Sequence, residues 1–240
     1  MTSFKKNYLI IIPTYNEKNN IKFIVNKISK NIKFNYDILF VDDNSKDGTL
    51  KVINDIKSKK IFLLKRKNKL GIGSAHKDGI KYGYKNKYNY IITMDCDGTH
   101  DPKYINKMIK LLGVNDLIIT NRYGIKDSLA EWSFFRKLVT SFRYLLVKLL
   151  FNTDLDSSGA YRCYDCKKIK LKDILSAKNN GYIFFTESTI IINNLYKISQ
   201  IPILLPKRYA GSSKMRFIDI LFGFFNILYI YFKIHLFNQK

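Results

Sequence analysis

The sequence is poor in cysteine, and its few thiols do not form a disulfide or metal framework. The three cysteines, Cys96, Cys163 and Cys166, are an odd number, which favours a reducing compartment. Cys163 and Cys166 have the spacing of a redox or zinc pair, but neither a second cysteine pair nor a histidine cluster accompanies them. We therefore expect structural thiols.

Acidic residues are also scarce. The chain has 19 aspartates and glutamates against 42 lysines and arginines, so its formal net charge is +23. This charge predicts an anionic partner or surface without identifying it, and a lysine-rich composition can also arise with no partner. The basic residues are spread along the whole chain rather than gathered on one arm or helix. A non-enzymatic nucleic-acid-binding protein therefore ranks low, and we expect no nucleic-acid partner.

A long uncharged apolar run is missing. A helix predicted at 217–237 is apolar on all sides, but Asp219 and Lys233 leave only thirteen uncharged residues, Ile220 through Phe232. A membrane-spanning helix needs about twenty such residues. We expect a helix that lies on a membrane or against a partner. There are two alternatives: a membrane span in which Lys233 reaches the lipid headgroups, and an ordinary core helix.

Short apolar runs alternate with longer amphipathic stretches, a pattern typical of βαβ units on a parallel sheet. Strands are predicted at 8–12, 37–41, 61–64, 90–94 and 116–120, and helices at 17–31, 47–58, 74–86 and 102–112. Beyond residue 125 the alternation stops, and two apolar helices are predicted at 133–151 and 217–237. With 240 residues, the chain can form one sizeable α/β domain with a short appendage.

Unusual polar residues follow the predicted strands, where ligands of parallel sheets bind. Asp95 and Asp97 can hold Mg²⁺ or Mn²⁺ jointly with substrate phosphates if a turn brings both to one side, and a solvated turn is the equal alternative. Asp42 and Asp43 either belong to a helix cap with Ser45, or one of them accepts hydrogen bonds from a nucleotide's base or ribose.

The predicted helix at 133–151 is basic and amphipathic. At about 100° per residue, four basic side chains fall within an arc of roughly 140°: Arg136, Lys137, Arg143 and Lys148. Four apolar side chains lie opposite: Leu138, Phe142, Leu145 and Leu149. Such a helix can lie at an anionic bilayer surface. A core-packing helix with a solvated basic face is the equal alternative.

Several short motifs follow one another in a specific order and spacing. They are Pro13-Thr-Tyr15-Asn-Glu17, Val41-Asp-Asp43, Asp95-Cys96-Asp97, Arg122, Trp132 with Arg136, Ser158-Gly-Ala-Tyr-Arg162, Gly181 to Glu187, and Arg208 to Lys214 with Gly211 and Ser213. Together they resemble the dolichol-phosphate mannosyltransferase branch of the family-2 glycosyltransferases over most of the chain. Two positions depart from the family: Cys96 stands where alanine is usual, and Thr99 where many relatives have glutamine or serine.

The resemblance implies an α/β fold of GT-A type, a Rossmann-like, mostly parallel sheet flanked by helices, with amphipathic, membrane-associated helices in the C-terminal part. It implies a catalytic domain at 1–215, with a nucleotide-sugar-binding half at 1–124 and an acceptor-binding half at 125–215. Residues 216–240 then form the apolar membrane-associated helix.

The resemblance also implies a reaction, an inverting transfer of mannose from GDP-mannose to a dolichyl or polyprenyl phosphate. A glucosyltransferase of the same fold, or another family member that uses a UDP-sugar, is the alternative. The enzyme is expected on a membrane with its active site facing the cytoplasm, at the endoplasmic reticulum of a eukaryote or the inner membrane of a bacterium. A small membrane subunit is a further candidate partner.

The resemblance assigns roles by position. The metal, Mg²⁺ or Mn²⁺, falls to Asp95, Asp97 and Thr99. Catalysis falls to Asp97, Arg122 and Arg136. Substrate binding falls to Pro13, Tyr15, Glu17, Val41, Asp43, Asp95, Cys96, Asp97, Arg122, Arg162, Arg208 and Lys214. The acceptor phosphate is largely ionised at neutral pH because its second pKa is about 6, so it needs arginines to orient it rather than a strong base.

Overall fold

Strands and helices alternate regularly through the first half of the chain. The structure is a computed structural model that describes residues 8–212, 214 and 217–237. The elements are β1 (Tyr8–Thr14), α1 (Lys18–Asn31), β2 (Tyr36–Asp42), α2 (Thr49–Asn54), β3 (Ile61–Lys65), α3 (Ile72–Lys85), β4 (Tyr90–Thr93), α4 (Ile105–Leu111) and β5 (Leu117–Asn121). Each predicted strand and helix of this half is present, although the helix predicted from residue 102 begins as a 3-10 turn at Pro102–Tyr104.

The second half contains more structure than the sequence pattern indicates. Its elements are α5 (Phe134–Phe151), β6 (Arg162–Asp165), α6 (Leu171–Leu175), α7 (Ile183–Asn193), β7 (Ile198–Pro202) and α8 (Phe217–Phe237). Only α5 and α8 were predicted. Strand β6 is four residues long and begins and ends with a charged residue, and α7 is buried on nearly every side, so neither shows a periodic pattern.

All seven strands of the described residues form one sheet, in the order β3-β2-β1-β4-β6-β5-β7. Neighbouring strands are parallel except at β6, which runs antiparallel to both β4 and β5. The predicted mostly parallel sheet is therefore confirmed. Because β6 runs in the opposite direction, the loop that precedes Arg162 reaches the edge where β1, β2, β4 and β5 end.

Helices cover both faces of the sheet and enclose two apolar cores. Helices α1 and α4 pack on one face through Ile24 and Met108, and α3 and α7 pack on the other through Ile80 and Phe184. Helix α3 lies unusually close to the sheet, and glycine at position 83 permits this approach. A Cβ there would stand 2.5 Å from a methyl carbon of Ile91.

Helix α8 packs on α5 and α7 and forms a third, smaller core with them. That core consists of Val147, Ile183, Ile190, Ile227 and Ile230. Among the described residues, no helix is both long enough and apolar enough to cross a membrane. The predicted boundary between residues 215 and 216, and Ser213 of the predicted loop motif, lie outside the described residues. The two predicted halves share one sheet, since β6 and β7 come from the second half.

Candidate active site

A cavity of about 740 Å³ lies beyond the carboxyl ends of β1, β2, β4 and β5. Most of the predicted site residues line it: Pro13, Tyr15, Glu17, Asp43, Asp95, Cys96, Asp97, Thr99, Arg122, Arg136, Arg208 and Lys214. Residues far apart in the sequence thus meet at one edge of the sheet.

Val41 and Arg162 do not line the cavity. The Val41 side chain is fully buried in the core between β2 and α3. The Arg162 guanidinium is also fully buried, and it donates hydrogen bonds to the carbonyl oxygens of Gly159, Ser157 and Phe185 and to the Ser188 hydroxyl. The structure therefore gives both residues a place inside the protein, away from any ligand in the cavity.

The two aspartates after β2 have different surroundings. Asp42 is buried and accepts hydrogen bonds from Thr14 and Ser45, so it holds the turn in place. Asp43 lines the cavity and forms an ion pair with Arg66. Burial raises the pKa of the Asp43 carboxyl, and the charge of Arg66 opposes that effect. Sequence reasoning missed Arg66, which lies one residue beyond β3 in a run of exposed lysines.

Asp95 and Asp97 both face the cavity because the chain turns after β4. Asp97 Oδ1 accepts hydrogen bonds from the Thr99 backbone N–H at 3.0 Å and from the Thr99 hydroxyl at 2.6 Å. Gly98, with φ of 84°, provides the turn between them. The Cys96 side chain is buried. Asp97 is buried as well, so this segment is not an ordinary solvated turn.

His100 supports this turn and was missed by sequence reasoning. Its Nδ1 accepts a hydrogen bond from the Asp95 backbone N–H at 2.9 Å, and its ring stacks on Tyr161 with centroids 4.9 Å apart. Burial raises the pKa of the Asp95 carboxyl, while His100 lowers it and Asp97 adds to the rise. The Asp95 side chain is nevertheless one third exposed, toward the cavity.

Residues 206–212, together with Lys214, lie over the carboxylates. Arg208 forms an ion pair with Asp97 Oδ2, and the Lys214 ammonium lies 2.8 Å from Glu17 Oε1. The Tyr209 ring stacks on Phe23 with centroids 3.9 Å apart. In this state the loop cations neutralise the acidic side chains that a metal or donor would otherwise contact.

Arginines line a second part of the cavity, beyond the end of β5 and at the start of α5. Arg122 binds both oxygens of the buried Asp156 carboxylate, with Nε–Oδ2 and Nη2–Oδ1 distances of 2.7 and 2.6 Å. Arg136 lies 3.8 Å from the centre of the Trp132 ring. Arg143, two turns beyond Arg136 on α5, donates to the Ser158 hydroxyl at 2.6 Å. This end of the cavity can therefore bind an anion.

Sequence reasoning placed Arg143 on the basic face of α5 but did not assign it to the site. The signal was its seven-residue spacing from Arg136, which puts both side chains on one side of the helix. Asp156 was missed altogether, because an aspartate in a polar loop has no feature that distinguishes it in the sequence.

Comparison with known proteins agrees with this arrangement. Residues 9–171 match the sequence model of a family described as glycosyl transferase family 2. The chain is similar to a polyprenol monophosphomannose synthase of Mycolicibacterium smegmatis, with 29% identity over 213 residues that cover 86% of this chain and 80% of that protein. It is also similar to an undecaprenyl-phosphate mannosyltransferase of Micrococcus luteus, with 28% identity over 211 residues that cover 86% of each chain.

Solved structures give the same fold. A glucosyl-3-phosphoglycerate synthase of Mycobacterium tuberculosis, in complex with Mn²⁺, uridine diphosphate and phosphoglyceric acid, superposes with a TM-score of 0.66 at 15% identity, over 95% of this chain and 78% of that chain. Its complex with Mg²⁺ and uridine diphosphate gives a TM-score of 0.62 at 14% identity, over 95% of this chain and 79% of that chain. The predicted GT-A-type fold is confirmed.

We predict that Asp156→Asn lowers the free energy of unfolding by about 3–5 kcal/mol at neutral pH, because it leaves the Arg122 charge without its buried partner. Burial alone would raise the pKa of Asp156, but the charge and hydrogen bonds of Arg122 hold it below its usual value. This stabilisation is present above the unfolded pKa of about 3.9 and is lost as the pH falls through the lower folded value.

Urea denaturation from pH 7 to pH 3 measures this difference. The matched control is Asp154→Asn, which removes an exposed carboxylate paired with Lys148 nearby and should cost about 1 kcal/mol or less. Equal losses in the two variants, or a loss for Asp156→Asn that does not shrink in acid, would contradict the assignment.

Proposed function

The chain belongs to glycosyl transferase family 2, and on that premise we propose that it transfers mannose from GDP-mannose to a polyprenyl phosphate with inversion at the anomeric carbon. One observation carries the proposal: a single cavity contains the paired carboxylates, the cations Arg208 and Lys214, and the arginines Arg122 and Arg136. We call the part at the carboxylates, Arg208 and Lys214 the donor end, and the part at Arg122 and Arg136 the acceptor end. The two relatives, a polyprenol monophosphomannose synthase and an undecaprenyl-phosphate mannosyltransferase, support the substrate class.

The donor end suits a nucleoside diphosphate sugar. Tyr15 and Asp43 lie beside the space for the nucleoside, and the Tyr15 ring already contacts a cation, with Lys69 Nζ 4.1 Å from its centre. Arg208 and Lys214 stand over the space for the diphosphate. Fixed cations at this point stabilise the charge that develops as the diphosphate leaves.

A divalent metal fits this end through Asp95 and Asp97. Mg²⁺ is commonly bound by one or two carboxylates together with substrate phosphates, so the two aspartates are a sufficient protein contribution. No group of three or more acidic, histidine or cysteine side chains in the described part of the chain forms a complete metal site. Thr99 holds Asp97 through its hydroxyl and backbone N–H, and we propose that it orients this ligand or joins it. When bound, Mg²⁺ or Mn²⁺ would neutralise charge on the leaving diphosphate.

The acceptor end suits a phosphate monoester. Arg122 and Arg136 line the cavity, and a guanidinium group suits phosphate oxygens. Arg122 already holds Asp156 with Nε and Nη2, so its Nη1 is the nitrogen left for a ligand. The attacking oxygen is already ionised at neutral pH, so the mechanism needs no general base. The ring of Phe222 on α8 lines the same cavity, which supports an acceptor with an apolar tail.

The outer face of α5 supports a membrane location. The four apolar side chains opposite the basic arc are all exposed, with Phe142 at 55% and Leu149 at 71%, whereas Arg136 and Arg143 turn inward. Helix α5 also packs in the third core through Val147, so core packing accounts for part of the helix but not for these four side chains. On α8, Phe222, Phe225 and Tyr229 continue the exposed apolar surface. A bilayer that covers both helices would bring the active site to the lipid acceptor, on the cytoplasmic side, in keeping with the free cysteines.

The first test is transfer of radiolabelled sugar from a panel of nucleotide sugars to a short polyprenyl phosphate in detergent. We expect lipid-dependent turnover with GDP-mannose and Mg²⁺ or Mn²⁺. We expect Asp97→Asn to lower it by about a hundredfold or more, because a fixed electrostatic group is lost. The matched control, Asp55→Asn, changes an exposed aspartate at the end of α2 and should leave the rate unchanged. Turnover with UDP-glucose alone would instead favour the glucosyltransferase alternative.

Arg208 should compete with the metal for Asp97. We expect Arg208→Gln to bind Mn²⁺ about two- to fivefold more tightly than the wild type in the absence of nucleotide, as for loss of a partly exposed ion pair. It should bind GDP more weakly, since the loop cation is gone. Electron paramagnetic resonance titration of free Mn²⁺ measures the first effect. Lys207→Gln, on the same loop but not paired with Asp97, is the control, and unchanged or weaker Mn²⁺ binding by Arg208→Gln would rule out the competition.

The apolar face of α5 should govern membrane binding. We expect the double variant Phe142→Gln, Leu149→Gln to bind anionic phosphatidylglycerol vesicles at least about tenfold more weakly, because it loses two large side chains that would be buried in lipid. Vesicle co-sedimentation measures the change. The double variant Val114→Gln, Leu195→Gln removes two exposed apolar side chains elsewhere and should bind normally. An equal loss in both double variants would contradict this docking surface.

A further inference from the structure

The arginines at the acceptor end outnumber the carboxylates that neutralise them. Arg122 and the buried Asp156 form a bidentate pair whose charges cancel. Arg136 stacks on the Trp132 ring, and Arg143 donates to a hydroxyl rather than to a carboxylate. The pairs formed by the described residues thus leave two positive charges here.

Ser158 connects this charge to the cavity. Its hydroxyl oxygen accepts one hydrogen bond from Arg122 Nη2 and a second from Arg143 Nη2. A serine hydroxyl has two acceptor positions and one proton, so only donation remains. That proton is donated to Asp156 Oδ1 over 3.4 Å, which is long and weak for an O–H···O bond. Ser158 lines the cavity, so a ligand oxygen there can take the proton in a shorter bond.

Arg143 remains charged in this half-buried position. Burial and the repulsion of Arg122 lower its pKa to about 10, which is still far above neutral pH. A cation held out of water without a carboxylate partner is costly unless an anion arrives to compensate it. Glu131 also lines the cavity, but its side chain is exposed to solvent.

We infer that Arg143 is a positioning residue, acting through Ser158, that makes the acceptor end select a phosphate monoester dianion; this inference rests on the proposed function. Arg143 and Arg136 bring positive charge to this end, and the Ser158 hydroxyl offers a hydrogen bond to a phosphate oxygen. Transfer forms a bond between a phosphate oxygen and the anomeric carbon, and the electron pair of the broken bond leaves with the nucleoside diphosphate. The product is a phosphodiester with one negative charge, so Arg143 and Ser158 hold the product less tightly than the acceptor.

The test compares farnesyl phosphate, a monoester, with its methyl diester. Dissociation constants are measured by isothermal titration calorimetry, and acceptor KM, donor KM and kcat are measured in the transfer assay. The variants are Arg143→Gln, Arg143→Lys, Ser158→Ala and the double variant Arg143→Gln, Ser158→Ala. The matched control is Lys148→Gln, which removes one positive charge from the exposed side of the same helix.

We expect Arg143→Gln to weaken monoester binding and to raise the acceptor KM by about ten- to a hundredfold, as for a lost hydrogen bond to a charged group. Binding of the diester and the donor KM should change much less. Arg143→Lys should recover part of the loss, because it keeps the charge but not the planar fork. The double variant should bind the monoester only slightly more weakly than Arg143→Gln alone. Arg143 acts through Ser158, so either change removes the same interaction.

Equal weakening of the monoester and the diester, additive losses in the double variant, or a loss no larger than that of Lys148→Gln would overturn the inference. Ser158→Ala retains Arg143, so it tests the same path if Arg143→Gln does not fold. A wild-type protein that prefers the monoester but transfers no sugar would refute the proposed function and keep the inference. If the wild type transfers sugar and Arg143→Gln binds both ligands normally, the inference is refuted and the proposed function stands.

Discussion

A fully buried guanidinium holds the acceptor end of the cavity in shape. Arg162 begins β6, the one strand that runs against its neighbours, and its hydrogen bonds tie Ser157 and Gly159 to α7. Buried charge is tolerated only where every donor finds an acceptor, so the path of this loop is closely specified. The loop in turn carries Asp156, which fixes Arg122. An arginine inside the protein thus determines the position of an arginine in the cavity.

Four carboxylates in or next to the cavity have a lysine or arginine partner. Asp43 pairs with Arg66, Asp97 with Arg208, Glu17 with Lys214, and Asp156 with Arg122. The pairs differ in their role. Those of Arg66 and Arg122 join residues close to the ends of strands, whereas Arg208 and Lys214 follow the last strand of the sheet and lie outside any helix or strand. The arrangement keeps the charges in place in advance, so binding of an anionic donor requires exchange of ion pairs rather than new ordering of the site.

The parts of the fold and site that the sequence predicted are those with a strong local signal. Strands β1 to β5 are apolar runs between amphipathic helices, and the chemistry collects where those strands end, as parallel sheets require. Helix α7 and strand β6 have no such signal, since one is buried all round and the other is short and polar. Arg162 matched a motif by position, but position does not tell whether a side chain faces a ligand or the interior. That distinction depends on tertiary contacts.

Helix α5 shows that an amphipathic pattern does not tell which face of a helix points toward the protein core. The helical wheel separates arginines from leucines, but it is the same whether the apolar face meets the core or the outside. Here Arg136 lines the cavity and Arg143 donates to Ser158 beside it, whereas Leu138, Phe142, Leu145 and Leu149 are exposed. In water alone this orientation would be unfavourable, because about 25 cal/mol is lost for each Å² of apolar surface left uncovered. It becomes favourable if lipid covers that surface. One helix then meets both parts of an amphiphilic acceptor, the phosphate on its inner side and the bilayer that holds the polyprenyl chain on its outer side.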